Sequence, residues 1–211
     1  PHMKILLVDD HQVVRQGLKQ MLADEYPKAA FGEAGTAAEA VQAIHRQKWD
    51  LVLLDLNLPG RGGLDALGDF KAAQPLLPVL VLSMHPEAEF AVQALRAGAA
   101  GYLTKQSAAE ELLAAVQKAL EGGRYITASL AEKLAADVAG DNRQLPHEEL
   151  SPREFETLRR LAAGHSVKEI SSSLGLSSKT VSTYRARVLE KLKLRTTVDL
   201  ARYAMEHGLV G

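Results

Sequence analysis

Four short apolar runs of this chain end in polar residues that could together carry out phosphoryl transfer. KILLVDD ends in Asp9 and Asp10, DLVLLDLN carries Asp55, PVLVLS ends in Ser83, and GYLTK ends in Lys105. Three carboxylates can hold a hard divalent cation such as Mg²⁺, because that ion prefers oxygen ligands. A hydroxyl and an ammonium group can bind the oxygens of a phosphoryl group. These residue types therefore predict a magnesium-assisted site at which an aspartate is phosphorylated.

Each residue has a role in this interpretation. Asp55 is the predicted nucleophile and gives one ligand oxygen to the metal, and the two aspartates of the first run complete the acidic pocket. The backbone carbonyl of Asn57, two residues further on, can reach the same ion. Ser83 can donate a hydrogen bond to a phosphoryl oxygen, and Lys105 can pair with the phosphate as a point charge. Catalysis by such a site is mainly positioning and electrostatic stabilisation.

This chemistry requires a fold that brings the ends of the four runs together. KILLVD, LVLLD, PVLVLS and GYLT are almost entirely apolar, as expected of strands buried on both faces, and residues 30–33 add a short strand. Helical spacing follows each strand, so residues 4–121 predict five strands alternating with five helices. That order is typical of an α/β fold with a doubly wound parallel sheet. Ligands bind outside the carboxyl ends of the strands in such sheets, where the polar residues would meet.

Capping signals mark several helices of this region. Thr36, with Glu39 three residues later, has the capping-box pattern of a helix start. A helix over residues 86–97 is expected to end at Gly98, and a helix over residues 107–121 is expected to end at a glycine pair.

Composition limits the class of protein. With 211 residues the chain has room for one or two domains, and its 46% hydrophobic and 24% charged residues are ordinary for a globular protein. The absence of cysteine excludes disulfides, thiolate nucleophiles and zinc–cysteine sites, and favours a reducing cytosol. No apolar run approaches the ~18–20 residues that span a bilayer, and no secretory signal precedes the first strand. We therefore expect a cytoplasmic protein with no membrane contact. Pro1 and His2 are interpreted as a cloning remnant.

Charge is divided unevenly along the chain. Residues 151–211 hold 11 Lys and Arg against 6 Asp and Glu, a net charge of +5, whereas residues 1–150 have a net charge of −6. An acidic half suits a cation, and a basic half suits a polyanion such as DNA. The asymmetry indicates two domains with different partners.

Residues 122–146 are predicted to connect the two domains. A short amphipathic helix is expected at about residues 128–138, since Leu130, Leu134 and Val138 recur every four residues. The polar stretch GDNRQLPHEE that follows is typical of a flexible linker.

The second domain, residues 147–211, is predicted to be a small all-α bundle of four helices. Ser151, Pro152 and Glu154 form a strong helix start, with an N-cap, a first-turn proline and an acidic residue at N3. Gly175 separates the second helix from the third, so residues 166–185 predict a helix-turn-helix.

The third helix, SSKTVSTYRARVLEKL, has two distinct faces. Val181, Tyr184 and Val188 lie on an apolar face that should pack inward. The opposite face carries short polar or small side chains flanked by basic ones, which suits entry into the major groove of DNA. The predicted DNA-binding residues are Lys179, Thr180, Ser182, Thr183, Arg185, Ala186 and Arg187, of which the lysine and the two arginines are best placed for phosphates.

The order of the polar residues in the first domain resembles the receiver domain of two-component response regulators, over about residues 3–121. In that domain two acidic residues follow strand one, an aspartate follows strand three, Ser or Thr follows strand four and Lys follows strand five. The resemblance implies a flavodoxin-like fold, a bound Mg²⁺ and phosphorylation of Asp55 by a sensor histidine kinase. Tyr102 matches the aromatic residue that turns inward when Ser83 engages the phosphate.

Two positions depart from the commonest receiver pattern. Ser83 stands where Thr is more frequent, which keeps the hydroxyl. Gln106 follows Lys105 where a cis-proline is frequent, and a cis bond before any other residue costs ~2.5–4 kcal/mol. The resemblance therefore leaves the geometry of the Lys105–Gln106 peptide open.

The second domain resembles the LuxR-type DNA-binding domain over about residues 147–209, through LSPRE and AAGHSVKEISSSLGLSSKTVSTYRARVLEKL. Together the two domains resemble the NarL/FixJ family of bacterial transcription regulators. That resemblance implies phosphorylation-controlled binding to double-stranded promoter DNA, a homodimer formed through the last helix, and RNA polymerase as a further partner. It implies a phosphoacceptor protein rather than an enzyme with turnover, apart from slow autodephosphorylation.

Three other interpretations compete with this one. The chain could be a constitutive DNA-binding dimer whose first domain is vestigial or senses another signal, which the intact acidic site opposes. It could be a phosphatase of the aspartyl-phosphate type, which the attached basic domain opposes. The helical domain, judged on charge alone, could instead be a small bundle that binds a protein.

Overall fold

The computed structural model describes residues 3–59, 62–84, 87–107, 109–138 and 145–210. The chain divides into two compact units, Pro1–Asn142 and Arg143–Gly211. The expected cloning remnant at residues 1–2, the expected helix start at residue 86 and the polar linker stretch at residues 140–144 lie outside the described residues.

A parallel sheet of five strands forms the centre of the first unit, as described by the structure, in the order β2-β1-β3-β4-β5. Every residue of β3 and β4 is buried, which explains why the sequence shows continuous apolar runs rather than alternation. This confirms the predicted doubly wound parallel sheet. The strands are β1 (Lys4–Val8), β2 (Ala30–Ala34), β3 (Leu51–Asp55), β4 (Val79–Ser83) and β5 (Gly101–Thr104).

Five helices connect or follow these strands: α1 (Gln12–Glu25), α2 (Ala37–Arg46), α3 (Gly63–Ala73), α4 (Glu87–Arg96) and α5 (Ala109–Leu120). Thr36 caps α2 by accepting a hydrogen bond from the Glu39 N–H at 3.2 Å. The Glu39 carboxylate accepts from the Gly35 N–H at 2.8 Å, so the reciprocal half of the predicted capping box is made one residue earlier than expected.

The connector, which was expected to contain a short helix at about residues 128–138 before a flexible polar stretch, contacts the first unit at its start and through that helix. The Tyr125 N–H donates to the Ala100 carbonyl at 2.7 Å, and Tyr125 pairs with Gly101 at the end of β5. A Cβ at Gly101 would lie 2.9 Å from the Tyr125 carbonyl oxygen, so this approach needs glycine. Helix α6 (Ala128–Val138) then lies against α4, and Leu130 is fully buried.

Four helices and a 3-10 turn make up the second unit within its described residues. The 3-10 helix (Pro146–Glu149), the last part of the expected flexible linker, belongs to this unit. The helices are α7 (Pro152–Ala162), α8 (Val167–Leu174), α9 (Ser178–Lys191) and α10 (Thr197–Glu206).

Capping boxes fix the starts of three of these helices. Ser151 and Glu154 form the predicted box of α7, Ser166 and Glu169 form the box of α8, and α10 starts in the same way. Buried apolar side chains from every helix fill the centre of the unit: Phe155, Leu158, Leu161, Ile170, Val181, Tyr184, Val188, Leu200 and Ala204.

Three aromatic side chains join the 3-10 helix to α10. The rings of Tyr203 and His207 stack at 4.0 Å, and the rings of His147 and His207 lie 5.5 Å apart. His147 Nδ1 lies 3.0 Å from the Tyr203 hydroxyl, and His207 Nδ1 lies 2.8 Å from the Tyr203 carbonyl oxygen. Burial lowers the pKa of His147, repulsion from His207 lowers it further, and Glu148 opposes the change.

None of the helices within the described residues has both the length and the apolar character needed to cross a membrane.

Candidate phosphoacceptor site and nucleic-acid interface

The predicted polar residues of the first unit meet at the carboxyl edge of the sheet. Asp9 follows β1, Asp55 ends β3 and Ser83 ends β4, and these three side chains are at most 2% exposed. Lys105 follows β5, and its Nζ lies 2.8 Å from Asp55 Oδ2 and 2.6 Å from Asp9 Oδ2. A single ammonium, on a side chain that is 11% exposed, therefore bridges two buried carboxylates. Asp10, the fifth predicted residue, lies exposed at the rim.

One backbone donor and one side-chain donor fix the orientation of Asp55. Its Oδ1 accepts a hydrogen bond from the Asn57 N–H at 3.0 Å, while its Oδ2 accepts from Lys105 at 2.8 Å. Behind it, α3 begins at Gly63, where a Cβ would overlap the Asp55 carbonyl oxygen. The glycine lets the helix start close to the backbone of Asp55. Together with the two hydrogen bonds, this places the carboxylate before any phosphoryl donor arrives.

Burial and charge act on Asp55 and Lys105 in opposite ways. Burial raises the pKa of Asp55, and the nearby charge of Asp9 adds to this, while Lys105 and the Asn57 N–H oppose it. Burial would lower the pKa of Lys105, but the charge of Asp55 and the contacts with both carboxylates outweigh it and raise that pKa. Lys105 therefore stays charged at neutral pH.

The donor atoms of this pocket fit a divalent cation. Ligand atoms of Asp9, Asp10, His11 and Asp55 all lie within 4.8 Å of one another. Asp9 Oδ2 is buried and accepts no hydrogen bond from the described residues, because its contact with Lys105 has the distance of an ion pair but not hydrogen-bond geometry. A carboxylate oxygen left in that state suits a hard metal ion. His11 was missed by the sequence interpretation, although it directly follows the two aspartates.

Ser83 and Tyr102, the predicted switch residues, lie on the two strands next to β3 and beyond it, β4 and β5. Ser83 is fully buried, and its carbonyl accepts from the Lys105 N–H at 2.7 Å, which ties the ends of β4 and β5 together. Tyr102 is 1% exposed, so its ring points into the protein. The Lys105–Gln106 peptide, whose geometry the resemblance leaves open, is trans. Asn57 lies half-buried at the same edge of the sheet.

In the second unit, α8 and α9 form the predicted helix-turn-helix. Gly175 ends α8 in the left-handed region, with φ +63°, and the Leu176 N–H donates back to the Ser171 carbonyl at 2.9 Å. Ser177 caps α9 by accepting from the Thr180 N–H at 3.1 Å. These contacts fix the angle at which the second helix leaves the turn.

The structure separates the seven predicted DNA-binding residues into two groups. Thr180 is half-buried, with its hydroxyl 2.8 Å from that of Ser177, and Arg185 donates from Nε to the Thr197 hydroxyl at 3.1 Å. The other five lie exposed along one side of α9: Lys179, Ser182, Thr183, Ala186 and Arg187. This exposed set is called the α9 face below.

The sequence matches two known families in consecutive segments. Residues 5–117 match the response regulator receiver domain, and residues 148–204 match the luxR family of bacterial regulatory proteins.

Individual relatives cover nearly the whole chain. Response regulator GacA of Pseudomonas aeruginosa is 38% identical over 208 residues, covering 98% of this chain and 97% of its own. Among solved structures, a LuxR-family two-component response regulator from Aurantimonas sp. is 35% identical with a TM-score of 0.59, covering 66% of this chain and 99% of its own. RcsB from Salmonella enterica serovar Typhimurium, bound to promoter P1flhDC in the presence of the phosphomimetic BeF3⁻, is 26% identical with a TM-score of 0.58, covering 96% of this chain and 98% of its own.

Proposed function

The chain belongs to the NarL/FixJ family of response regulators, and from this membership and the buried carboxylate pocket we propose that phosphorylation of Asp55 controls its binding to promoter DNA. The observation that carries the proposal is the placement of Asp55. It ends β3 with both oxygens held, between the acidic residues that follow β1 and the ammonium that follows β5.

Asp55 acts as the nucleophile in the proposed reaction. A carboxylate oxygen of Asp55 attacks the phosphorus of a phosphohistidine on a sensor kinase. An oxygen–phosphorus bond forms as the nitrogen–phosphorus bond breaks, and the imidazole keeps the electron pair and takes a proton from solvent. The product is an acyl phosphate, and water returns it slowly to aspartate and phosphate, so the protein is a phosphoacceptor rather than an enzyme with turnover.

The acidic residues would hold Mg²⁺ in this proposal. Asp9, Asp10, Asp55 and the backbone carbonyl of Asn57 are the proposed ligands, and the clustering of the carboxylate oxygens supports the assignment. When bound, the ion neutralises charge on the phosphoryl oxygens.

Ser83, Tyr102 and Lys105 would convert phosphorylation into a change of the sheet edge. Lys105 exchanges its pairing with two carboxylates for the phosphoryl oxygens, and the Ser83 hydroxyl donates to one of those oxygens. Tyr102 is already buried on β5, and its proposed part is to keep that inward position as Ser83 engages the phosphoryl group. Such a switch requires that the phosphoryl group favour one arrangement of this edge over the other.

The α9 face is the proposed reader of DNA. Lys179 and Arg187 bind phosphates, and Ser182, Thr183 and Ala186 lie against base edges in the major groove. Thr180 holds the turn through Ser177, and Arg185 holds α10 through Thr197. Both residues reach DNA phosphates only at the edge of the protein–DNA contact.

A homodimer is expected to bind the promoter. Val198 and Met205 are 78% and 66% exposed on α10, which supports that helix as the contact between two copies. Recognition helices of a dimer lie about 34 Å apart on successive turns of DNA. RNA polymerase is a further proposed partner, and the bacterial cytoplasm, where promoter DNA lies, is the proposed site of action.

The test is DNA binding by wild type and Asp55→Asn, each with and without Mg²⁺ and beryllofluoride or acetyl phosphate. The DNA is the protein's own promoter region, at a stated salt concentration because phosphate contacts make affinity depend on salt. Asp24→Asn, at an exposed position of α1, is the matched control. Stronger binding in wild type and Asp24→Asn, but not in Asp55→Asn, supports the proposal. Equal binding by all three in every condition overturns it in favour of a constitutive DNA-binding dimer.

A further inference from the structure

His11 touches both aspartates of the acidic pocket. Its backbone N–H donates to Asp9 Oδ1 at 2.8 Å, and its ring Nδ1 lies 2.8 Å from Asp10 Oδ1 and 3.3 Å from Asp9 Oδ1. Since a carboxylate only accepts, these contacts assign a proton to Nδ1. The His11 side chain is 67% exposed, so it forms the solvent side of the pocket rather than its floor.

These contacts and those of Lys105 decide how the two carboxylates are oriented. Asp9 Oδ1 accepts from the His11 backbone N–H, which any residue at this position would supply, and Asp9 Oδ2 is directed toward Lys105. Asp10 has no other hydrogen bond or ion pair among the described residues, so His11 is its one partner there. Without that partner, an exposed carboxylate at the end of a strand would sample several rotamers, and metal binding would have to restrict it.

Arg15 holds the same turn at its backbone. Its Nη1 donates to the Asp9 carbonyl oxygen at 2.7 Å, and its Nε pairs with Glu33 at 3.1 Å. The backbone of the turn is thus fixed from α1 and β2. Lys105 and the His11 backbone N–H hold the Asp9 carboxylate. The Asp10 carboxylate is therefore the one whose orientation is left to the His11 ring.

We propose that His11 is a positioning residue of the metal site, its ring holding the Asp10 carboxylate beside Asp9 in the orientation that binds a divalent cation. This inference rests on the proposed function, which assigns Mg²⁺ to these carboxylates. Mg²⁺ prefers oxygen to imidazole nitrogen, so His11 acts on the carboxylates and not on the ion itself. Partners of this kind commonly change metal affinity by about 10–100-fold.

Calorimetric titration of the full chain with Mg²⁺ at neutral pH tests the proposal. His11→Ala should weaken Mg²⁺ binding by at least about tenfold. His11→Asn should stay within about threefold of wild type, because its side-chain N–H stands as many bonds from Cα as the imidazole Nδ1–H and can reach the same oxygen. His45→Ala, at an exposed position of α2, is the matched control and should bind as wild type does.

A kinetic measurement separates positioning from general damage. In phosphorylation by acetyl phosphate, His11→Ala should need more Mg²⁺ for half-maximal rate, while its rate at saturating Mg²⁺ stays near that of wild type. Equal Mg²⁺ affinity in His11→Ala and wild type overturns the inference and leaves the proposed function intact. No Mg²⁺ binding by wild type overturns both. Failure of Asn to restore binding, with a larger loss for Zn²⁺ than for Mg²⁺, would make His11 a direct ligand and also overturn it.

Discussion

The two units carry their functional side chains in opposite ways. In the carboxylate pocket, Asp9, Asp55 and Ser83 are buried, and Lys105 bridges the two acids. On the α9 face, polar and basic side chains project from the helix and are exposed. A buried charged network is part of the packing, so a substitution there acts on chemistry and stability together. An exposed side chain contributes little to stability, so a substitution there should act on binding alone.

Lys105→Ala should have the largest effect of the variants discussed, and it should change both phosphorylation and stability. The rate of phosphoryl incorporation should fall by about 100-fold or more, because a preorganised charge that would face the phosphoryl oxygens is lost. The free energy of unfolding should also fall, since two buried carboxylates lose their counter-charge. Phosphorylation is measured with acetyl phosphate, and unfolding with urea.

Lys28→Ala, at an exposed position between α1 and β2, is the control and should change neither quantity. Phosphorylation of Lys105→Ala within a few-fold of the wild-type rate would show that the pocket works without the Lys105 ammonium. The contrast between a site whose substitutions change both chemistry and stability and a face whose substitutions change binding alone would then weaken.

Leu130→Ala extends the comparison to the connector. Because Leu130 is fully buried in the first unit, its truncation should lower the free energy of unfolding by about 2–5 kcal/mol. Trp49, the only tryptophan of the chain, lies in the first unit, so its fluorescence during urea unfolding reports on that unit. Leu134→Ala, at a half-buried position of the same helix, is the control and should cost less. Equal small losses in both variants would mean that α6 behaves as an exposed linker helix.

Arg187→Ala and Arg185→Ala should separate the two types of side chain on one helix. Arg187 is exposed, so its loss should weaken binding to all DNA sequences, lower the salt slope by about 1 and leave thermal stability unchanged. Arg185 also donates to Thr197, so its loss should additionally lower stability by about 1 kcal/mol. DNA affinity against salt and thermal unfolding of each variant provide the two readouts. If Arg187→Ala lowered stability as much as Arg185→Ala, the α9 face would be part of the packing after all.

Much of the first unit could be predicted because its sequence signals are local and physical. A strand buried on both faces must be apolar throughout, so β1, β3 and β4 stand out as runs, and the chemistry-bearing residues follow where each run ends. The helices of the second unit could be predicted equally well, since capping residues such as Ser151 mark the helix starts.

Contacts between elements were less accessible from the sequence. The spacing of Leu130 and Leu134 predicts an amphipathic helix, but periodicity alone does not say which surface the apolar side covers, so its packing on α4 was missed. The pairing of Tyr125 with Gly101 was missed because it depends on where the backbone runs after α5, which local sequence patterns do not show. Arg185 was assigned to phosphate because its charge is visible in sequence, whereas its hydrogen bond to Thr197 depends on how α9 meets α10.

The smallest predicted effect lies at His147, where the second unit has a partly buried titratable group of its own. The pKa of His147 is lowered in the folded protein, so the unfolded chain binds a proton more readily. The second unit should therefore be most stable above the unfolded pKa of about 6.5 and should lose stability as the pH falls through that value. Hydrogen exchange of α10 amides in the full chain, from about pH 8 to about pH 5, measures this local stability.

His147→Phe should flatten this pH dependence, because it keeps a ring against Tyr203 and removes the titrating group. His207→Gln should flatten it in part, since the repulsion from His207 is the second cause of the lowered pKa and burial, the first, remains. His165→Gln, at an exposed position after α7, should follow wild type at every pH, and comparison at equal pH removes the intrinsic dependence of exchange. If the stability of His147→Phe changed with pH as much as that of wild type, His147 would behave as an exposed side chain. Substitutions of polar residues throughout the second unit would then be expected to leave its stability unchanged, as on the α9 face.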